Sequence, residues 1–231
     1  MASKKKLRRE KQPHENRNLG ERTQIRSLPL EPRSAKQRCL LTNLQHKQLV
    51  FTLGPAGTGK TYVATRHACT QFRTRQIDKI IVTRPMVTAE EDMGFLPGEP
   101  HDKFAPYFAP VREILEEDLG RSHVENLLKL RRIEIAPIAF LRGHTFKNAF
   151  VIFDEAQNTT EAQMRLFLTR IGEGSQVVVG GDLDQIDIPG PSGLADAIRR
   201  FGTLPEVGVT EFDVRDVVRS GLAQKIVRGY K

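Results

Sequence analysis

One stretch, Gly54-Pro55-Ala56-Gly57-Thr58-Gly59-Lys60-Thr61, constrains this chain more than any other. It matches the spacing G-x-x-x-x-G-K-[ST] and stands between an apolar run at 48–53 and a stretch of helical character at 61–72. Glycines at these positions let successive backbone N–H groups curl around a phosphate chain without Cβ clashes. The N-terminus of the following helix adds a dipole that favours the anion. In such a loop Lys60 reaches the β and γ phosphates and the Thr61 hydroxyl ligates Mg²⁺. Residues Gly54, Pro55, Ala56, Gly57, Thr58, Gly59, Lys60 and Thr61 are therefore expected to bind the phosphates of a nucleotide, with Lys60 also acting in catalysis and Thr61 on the metal.

A phosphate loop of this kind needs a strand before it and a helix after it, and the rest of the chain continues that alternation. Apolar, β-branched runs at 48–53, 80–82, 149–153, 177–179 and 207–212 read as five strands. Helical stretches fall at 35–45, 61–72, 107–119, 160–170 and 192–201. Residues 85–106, dense in Pro, Gly and acids, read as a structured loop over the sheet edge. Strands alternating with helices predict an α/β fold, a parallel sheet with helices on both faces.

Two further segments supply acids and an amide to that sheet. In Phe150-Val151-Ile152-Phe153-Asp154-Glu155-Ala156-Gln157 an apolar strand ends in two carboxylates, at the sheet edge where open α/β folds bind ligands. Asp154 is placed to hold Mg²⁺, and Glu155 to orient and deprotonate an attacking water. In Val177-Val178-Val179-Gly180-Gly181-Asp182-Leu183-Asp184-Gln185 another strand opens into a polar turn. There Gln185 would sense the γ-phosphate or the water, and Asp182 would tie the turn to the metal site. Calcium binding by Asp182, Asp184 and Asp187 fails on spacing, because Ile186 stands where a third oxygen is wanted.

Charge divides the chain unevenly. Residues 1–38 carry 12 Lys and Arg against 4 Asp and Glu, whereas the remaining 193 residues carry 24 of each. The net charge of +8 thus resides in the first sixth. We expect residues 1–32 to be a flexible basic tail and 33–231 to be the folded domain. A basic arm holds nucleic acid by releasing counterions, which makes RNA or single-stranded DNA a candidate partner. With aromatic residues at 6% and no Trp, base stacking along a strand of nucleic acid would be limited. No run reaches the roughly 18 to 20 apolar residues of a membrane span, and two cysteines cannot make a disulfide framework. A cytoplasmic protein with no membrane partner is the expectation.

Taken together, these strings resemble the PhoH family, the phosphate-starvation-inducible group of P-loop ATPases. The resemblance is carried by residues 54–61, by Thr83-Arg84-Pro85, Gly94-Phe95-Leu96-Pro97-Gly98 and Ala139-Phe140-Leu141-Arg142-Gly143, by Asp154-Glu155-Ala156-Gln157-Asn158, and by Val217-Val218-Arg219-Ser220. It implies a RecA-like core similar to the first domain of superfamily 1 helicases, with ATP and Mg²⁺ as cofactors. It further implies that Gln37, 17 residues before Gly54, recognises adenine with its amide. Thr83-Arg84-Pro85 resembles the helicase segment that touches a nucleic-acid backbone. Arg142, Arg170 and Arg219 are candidates for phosphate or inter-subunit contacts, Arg219 first among them as a finger. Helicases of this class close their site with a second domain, for which this chain has no room. A homo-oligomeric ring, a hexamer by analogy, would supply the missing half. The implied function is ATP hydrolysis coupled to RNA or single-stranded nucleic acid. The alternatives are a nucleotide-gated assembly protein and, less favoured, a small-molecule kinase.

Overall fold

The computed structural model describes residues 29–86, 100–141, 143, 145–218 and 221. Six strands form one parallel sheet: β1 (Leu49–Leu53), β2 (Lys79–Arg84), β3 (Ile133–Pro137), β4 (Ala149–Phe153), β5 (Gln176–Gly181) and β6 (Val207–Glu211), in the order β3-β2-β4-β5-β1-β6. Every residue of β1 and of β4 is buried, as strands covered on both faces must be. Their side chains alternate between two cores. Val50, Ile80, Val82, Phe150, Ile152 and Val178 enter one core, and Phe51, Ile81, Val151, Phe153, Val177 and Val179 the other.

The helices divide accordingly. The first core is covered by α1 (Ala35–His46), α2 (Lys60–Arg73), α3 (Pro100–Leu119) and α4 (Arg121–Lys129). The second lies under α5 (Glu161–Leu168) and α6 (Gly193–Phe201). Local sequence accounts for the ends of these helices. The Ser34 hydroxyl accepts from the Gln37 N–H at the start of α1, and Thr160 with Gln163 forms a complete capping box on α5. Between α2 and α3 the buried carboxylate of Asp118 takes Arg73 at 2.6 Å and Arg66 at 3.6 Å.

Topology positions the site. The chain leaves β1, crosses the edges of β5 and β4, and enters β2, so β5 ends up between β1 and β4. The C-terminal ends of β1, β5 and β4 therefore lie side by side. The glycine loop, the Gly-Gly-Asp turn and the acid pair all converge there.

Three expectations need correction. Residues 100–106 are the first turns of α3 rather than loop. Proline is compatible with a helix start, and Pro106 and Pro110 are carried inside the helix because Phe108, Val111, Leu115 and Leu119 bury one face. The remainder of that expected loop, 87–99, lies outside the described residues. Helix α4 and strand β3 had no counterpart among the expected elements. In β3, Ile133 is buried while Glu134, Ile135 and Ala136 are half-buried, an edge strand with no continuous apolar run. The other five strands and the helices at 35–45, 61–72, 160–170 and 192–201 fall within a few residues of expectation. Among the described residues no helix is long and apolar enough to cross a membrane.

Candidate nucleotide site

The loop after β1 is built around conformations open to glycine. Gly54, Gly57 and Gly59 have φ of 123°, 84° and 87°. At Gly54 a Cβ would also stand 2.3 Å from the Phe212 carbonyl oxygen. The loop is pinned from outside: the Gly54 N–H donates to the Gly181 carbonyl at 3.1 Å, and the Val218 N–H to the Gly57 carbonyl at 3.0 Å. Inside it the Lys60 ammonium donates to the Gly54 and Pro55 carbonyls, the latter at 2.9 Å. Burial lowers the Lys60 pKa, while the charges of Asp154, Asp182 and Glu155 oppose that shift. A cation held by neutral carbonyls beside three acids is a ready partner for phosphate oxygens.

Gln37 meets the loop from α1. It is buried; its Nε2 donates to the Thr58 carbonyl at 2.9 Å and its Oε1 accepts from the Arg33 N–H at 2.8 Å. One N–H and one lone pair of the amide remain for any reading of a base.

At the end of β4 the two acids take different surroundings. Asp154 Oδ1 accepts from the Thr61 hydroxyl at 3.1 Å, which joins residues 93 apart in sequence. Its pKa is raised by burial, then by the neighbouring Glu155 charge, against the pull of Arg84, Thr61 and Lys60. A hydroxyl and a carboxylate side by side are the hard oxygen donors that Mg²⁺ takes together with waters and phosphates, so these residues fit the ion. Among the described residues no group of three or more His, Cys, Asp or Glu could hold a metal ion.

Glu155 itself has φ 53° and ψ 33°, a left-handed conformation that costs a non-glycine residue on the order of 1 kcal/mol. Both its oxygens are engaged. Arg84 from β2 reaches Oε1 at 3.0 Å, and Gln157 Nε2 donates to Oε2 at 2.7 Å. Arg84 also donates to the Tyr107 carbonyl on α3 at 3.0 Å.

Gln157 is the residue whose part in the site was not foreseen. It is 1% exposed, and its amide meets three residues in two turns: beyond Glu155, Nε2 lies 3.2 Å from the Gln185 carbonyl, and Oε1 accepts from the Asp182 N–H at 3.1 Å. The acid turn after β4 and the polar turn after β5 are thus tied to each other. Gln185 in turn donates to Asp182 Oδ2 at 2.7 Å, and Asp182 Oδ1 accepts from the Asp184 N–H. Asp182 therefore organises its own turn before it can serve a metal.

These residues enclose a cleft of about 240 Å³ lined by Ala56, Gly57, Gly59, Lys60, Thr61, Tyr62, Asp154, Glu155, Gly181, Asp182 and Gln185. A roomier apolar groove of about 790 Å³ runs between α5 and α6 and contains none of the loop or the acid pair. Of the arginines singled out in the sequence, Arg170 donates to the Leu141 carbonyl of its own chain. Arg142 and Arg219 lie outside the described residues, as does most of the basic tail.

A glycine loop on an interior strand of a parallel sheet, with an acid-tipped strand two places away, defines the class: a P-loop NTPase fold of RecA-like type. The family follows from comparison. A family profile described as PhoH-like protein matches residues 29–231, and the chain belongs to the PhoH family. Protein PhoH of Escherichia coli strain K12 is 46% identical over 206 residues, covering 87% of this chain and 58% of that protein. A PhoH-like protein of Bacillus subtilis strain 168 is 46% identical over 196 residues, covering 84% and 61%. The chain thus spans about three fifths of the length of the curated relatives it matches. Similar solved structures include the Hef helicase domain of Pyrococcus furiosus, 13% identical with a TM-score of 0.46 over 76% of this chain and 37% of that one. The Pif1 helicase of Candida albicans is 15% identical, with a TM-score of 0.44 over 86% and 43%.

Proposed function

We propose that this chain binds and hydrolyses ATP with Mg²⁺, coupled to RNA or single-stranded DNA. The observation that carries the reading is the contact of Thr61 with Asp154 at 3.1 Å in the cleft that also holds Lys60 and Glu155. The loop amides and Lys60 bind and neutralise the phosphate chain. Thr61 and Asp154 would hold Mg²⁺, which supplies charge neutralisation between the phosphates. Glu155 takes a proton from a water as its oxygen attacks the γ-phosphorus; the bond to the bridging oxygen breaks and ADP departs. Gln185, at the cleft rim, orients that water. Arg84 and Gln157 each occupy one acceptor site, one on either Glu155 oxygen, so the held carboxylate keeps a lone pair on each oxygen for the water.

A RecA-like domain of this kind presents one half of a site, and a ring of copies completes it, with Arg219 assigned to the neighbour's cleft. The basic tail of residues 1–32 supplies a salt-sensitive grip on the polynucleotide. The test is an ATPase assay with and without RNA and single-stranded DNA across a salt series, on protein sized by light scattering, using the full chain and one lacking residues 1–32. Stimulation that weakens with salt and with the deletion supports the reading. Turnover indifferent to any polynucleotide, with ATP changing the oligomeric state, supports nucleotide-gated assembly instead. A monomer with full specific activity refutes the ring.

A further inference from the structure

Tyr62 follows Thr61 directly, in the first turn of α2, and among the described residues is the one aromatic lining the nucleotide cleft. Its neighbours Val63, Ala64 and Thr65 turn into the core and are buried, whereas Tyr62 is 41% exposed. Tyr62 is therefore not a core residue. The ring is steadied from its own helix: the Arg66 guanidinium carbon lies 5.9 Å from the ring centroid, and Arg66 is itself tied to the buried Asp118 at 3.6 Å. A flat apolar face is therefore presented at the mouth of a cleft whose floor is amides, one ammonium and acids.

The geometry points to Tyr62 as the stacking platform for the base of the bound nucleoside triphosphate. This inference rests on the phosphate-binding role proposed for the loop and extends it to the other end of the ligand. Once the loop amides and Lys60 hold the phosphates, the sugar and base leave the loop past the first turn of α2. The residue after Thr61 is the first side chain they meet there. The amide of Gln37, the other group expected to meet the base, is half committed, to the Thr58 carbonyl and the Arg33 N–H. Stacking needs no free donor or acceptor, and every base has a π-face, so a platform of this kind adds affinity with little choice among bases. Tyr62 accordingly separates nucleotides from bare polyphosphates, not ATP from GTP.

The chain contains no Trp, which makes Tyr62→Trp a single fluorescent reporter at the site. Calorimetric titrations with ATP, GTP and inorganic tripolyphosphate, each with Mg²⁺, are run on the intact wild type, Tyr62→Ala and Tyr62→Phe. Replacing one stacking aromatic by Ala is expected to weaken ATP and GTP alike by about 5- to 100-fold. Tripolyphosphate affinity stays unchanged, and Tyr62→Phe binds as the wild type does. Emission from Tyr62→Trp is expected to change with ATP and not with tripolyphosphate. Unchanged ATP affinity in Tyr62→Ala, or equal losses for ATP and tripolyphosphate, overturns the stacking role while leaving the loop assignment standing. A wild type that binds neither ligand overturns both.

Discussion

Gln157 offers the sharpest test of how this site is held, because one buried amide supports both the acid turn and the polar turn. Replacing it with Ala leaves the Asp182 N–H, now partnered by Oε1 at 3.1 Å, without an acceptor in a buried setting. An unsatisfied buried donor costs about 1–3 kcal/mol. The bond to Glu155 at 2.7 Å is charge-assisted, but Glu155 is more than a third exposed, so its loss adds only about 1 kcal/mol. The Gln185 carbonyl sits in an exposed segment and can turn to water, so we assign it nothing. The sum is about 2–4 kcal/mol, which for a chain of this size lowers Tm by roughly 5–15 °C. Urea unfolding and a thermal scan measure this directly. Gln157→Glu sets a second carboxylate against Glu155 and is expected to cost at least as much at pH 7 and less as the pH is lowered. A Gln157→Ala loss below about 0.5 kcal/mol, within the range of ordinary surface substitutions, would refute the claim that the amide is the joint between the two turns.

Other expectations follow from the same geometry. Glu155→Gln keeps the shape of the base and its contacts with Arg84 in part, so ATP affinity should hold while turnover falls about 10²- to 10⁴-fold; normal turnover in a single-turnover assay would remove Glu155 from the chemistry. Asp154 keeps its proton above the ordinary value of 3.8 because it is buried and next to Glu155. The neutral form therefore favours the native state fully below that value, and the benefit is lost as pH rises through the raised one. Asp154→Asn should be more stable than the wild type at pH 7 in urea melts without Mg²⁺, with the gap closing towards pH 4. Cys39 is exposed, while Cys69 is fully buried with its thiol pKa pushed up mainly by burial. A thiol reagent should label one cysteine in the native protein and both in denaturant; rapid native labelling of two would contradict the packing of α2.

Most of the architecture was legible because its signals are local. Strands buried on both faces must be continuous apolar runs, and 149–153 and 177–179 can be little else. The phosphate loop is legible for a similar reason: its glycines, lysine and hydroxyl are consecutive in the sequence, although Gly181, Phe212 and Val218 hold it in place. Edge strand β3 escaped notice because only its two ends, Ile133 and Pro137, are buried, and the three residues between them stay half-wet. The start of α3 escaped because its prolines read as breakers, while the burial of Phe108, Val111, Leu115 and Leu119 that outweighs them depends on the sheet below.

The chain's amino acids alone decided that a parallel α/β sheet would carry a phosphate loop, that two acids would end one of its strands, and that the surplus positive charge would sit in the first 38 residues. These are matters of spacing and composition. Folding in three dimensions decided which side chains share a proton or a hydrogen bond: Thr61 with Asp154, Arg84 with Glu155, and Gln157 with both turns. It also withdrew half of the Gln37 amide from any base and left Tyr62 open at the mouth of the cleft. Such pairings rest on strand order, because only the insertion of β5 between β1 and β4 brings residues 61, 84, 155 and 185 to one edge. No local pattern encodes that order.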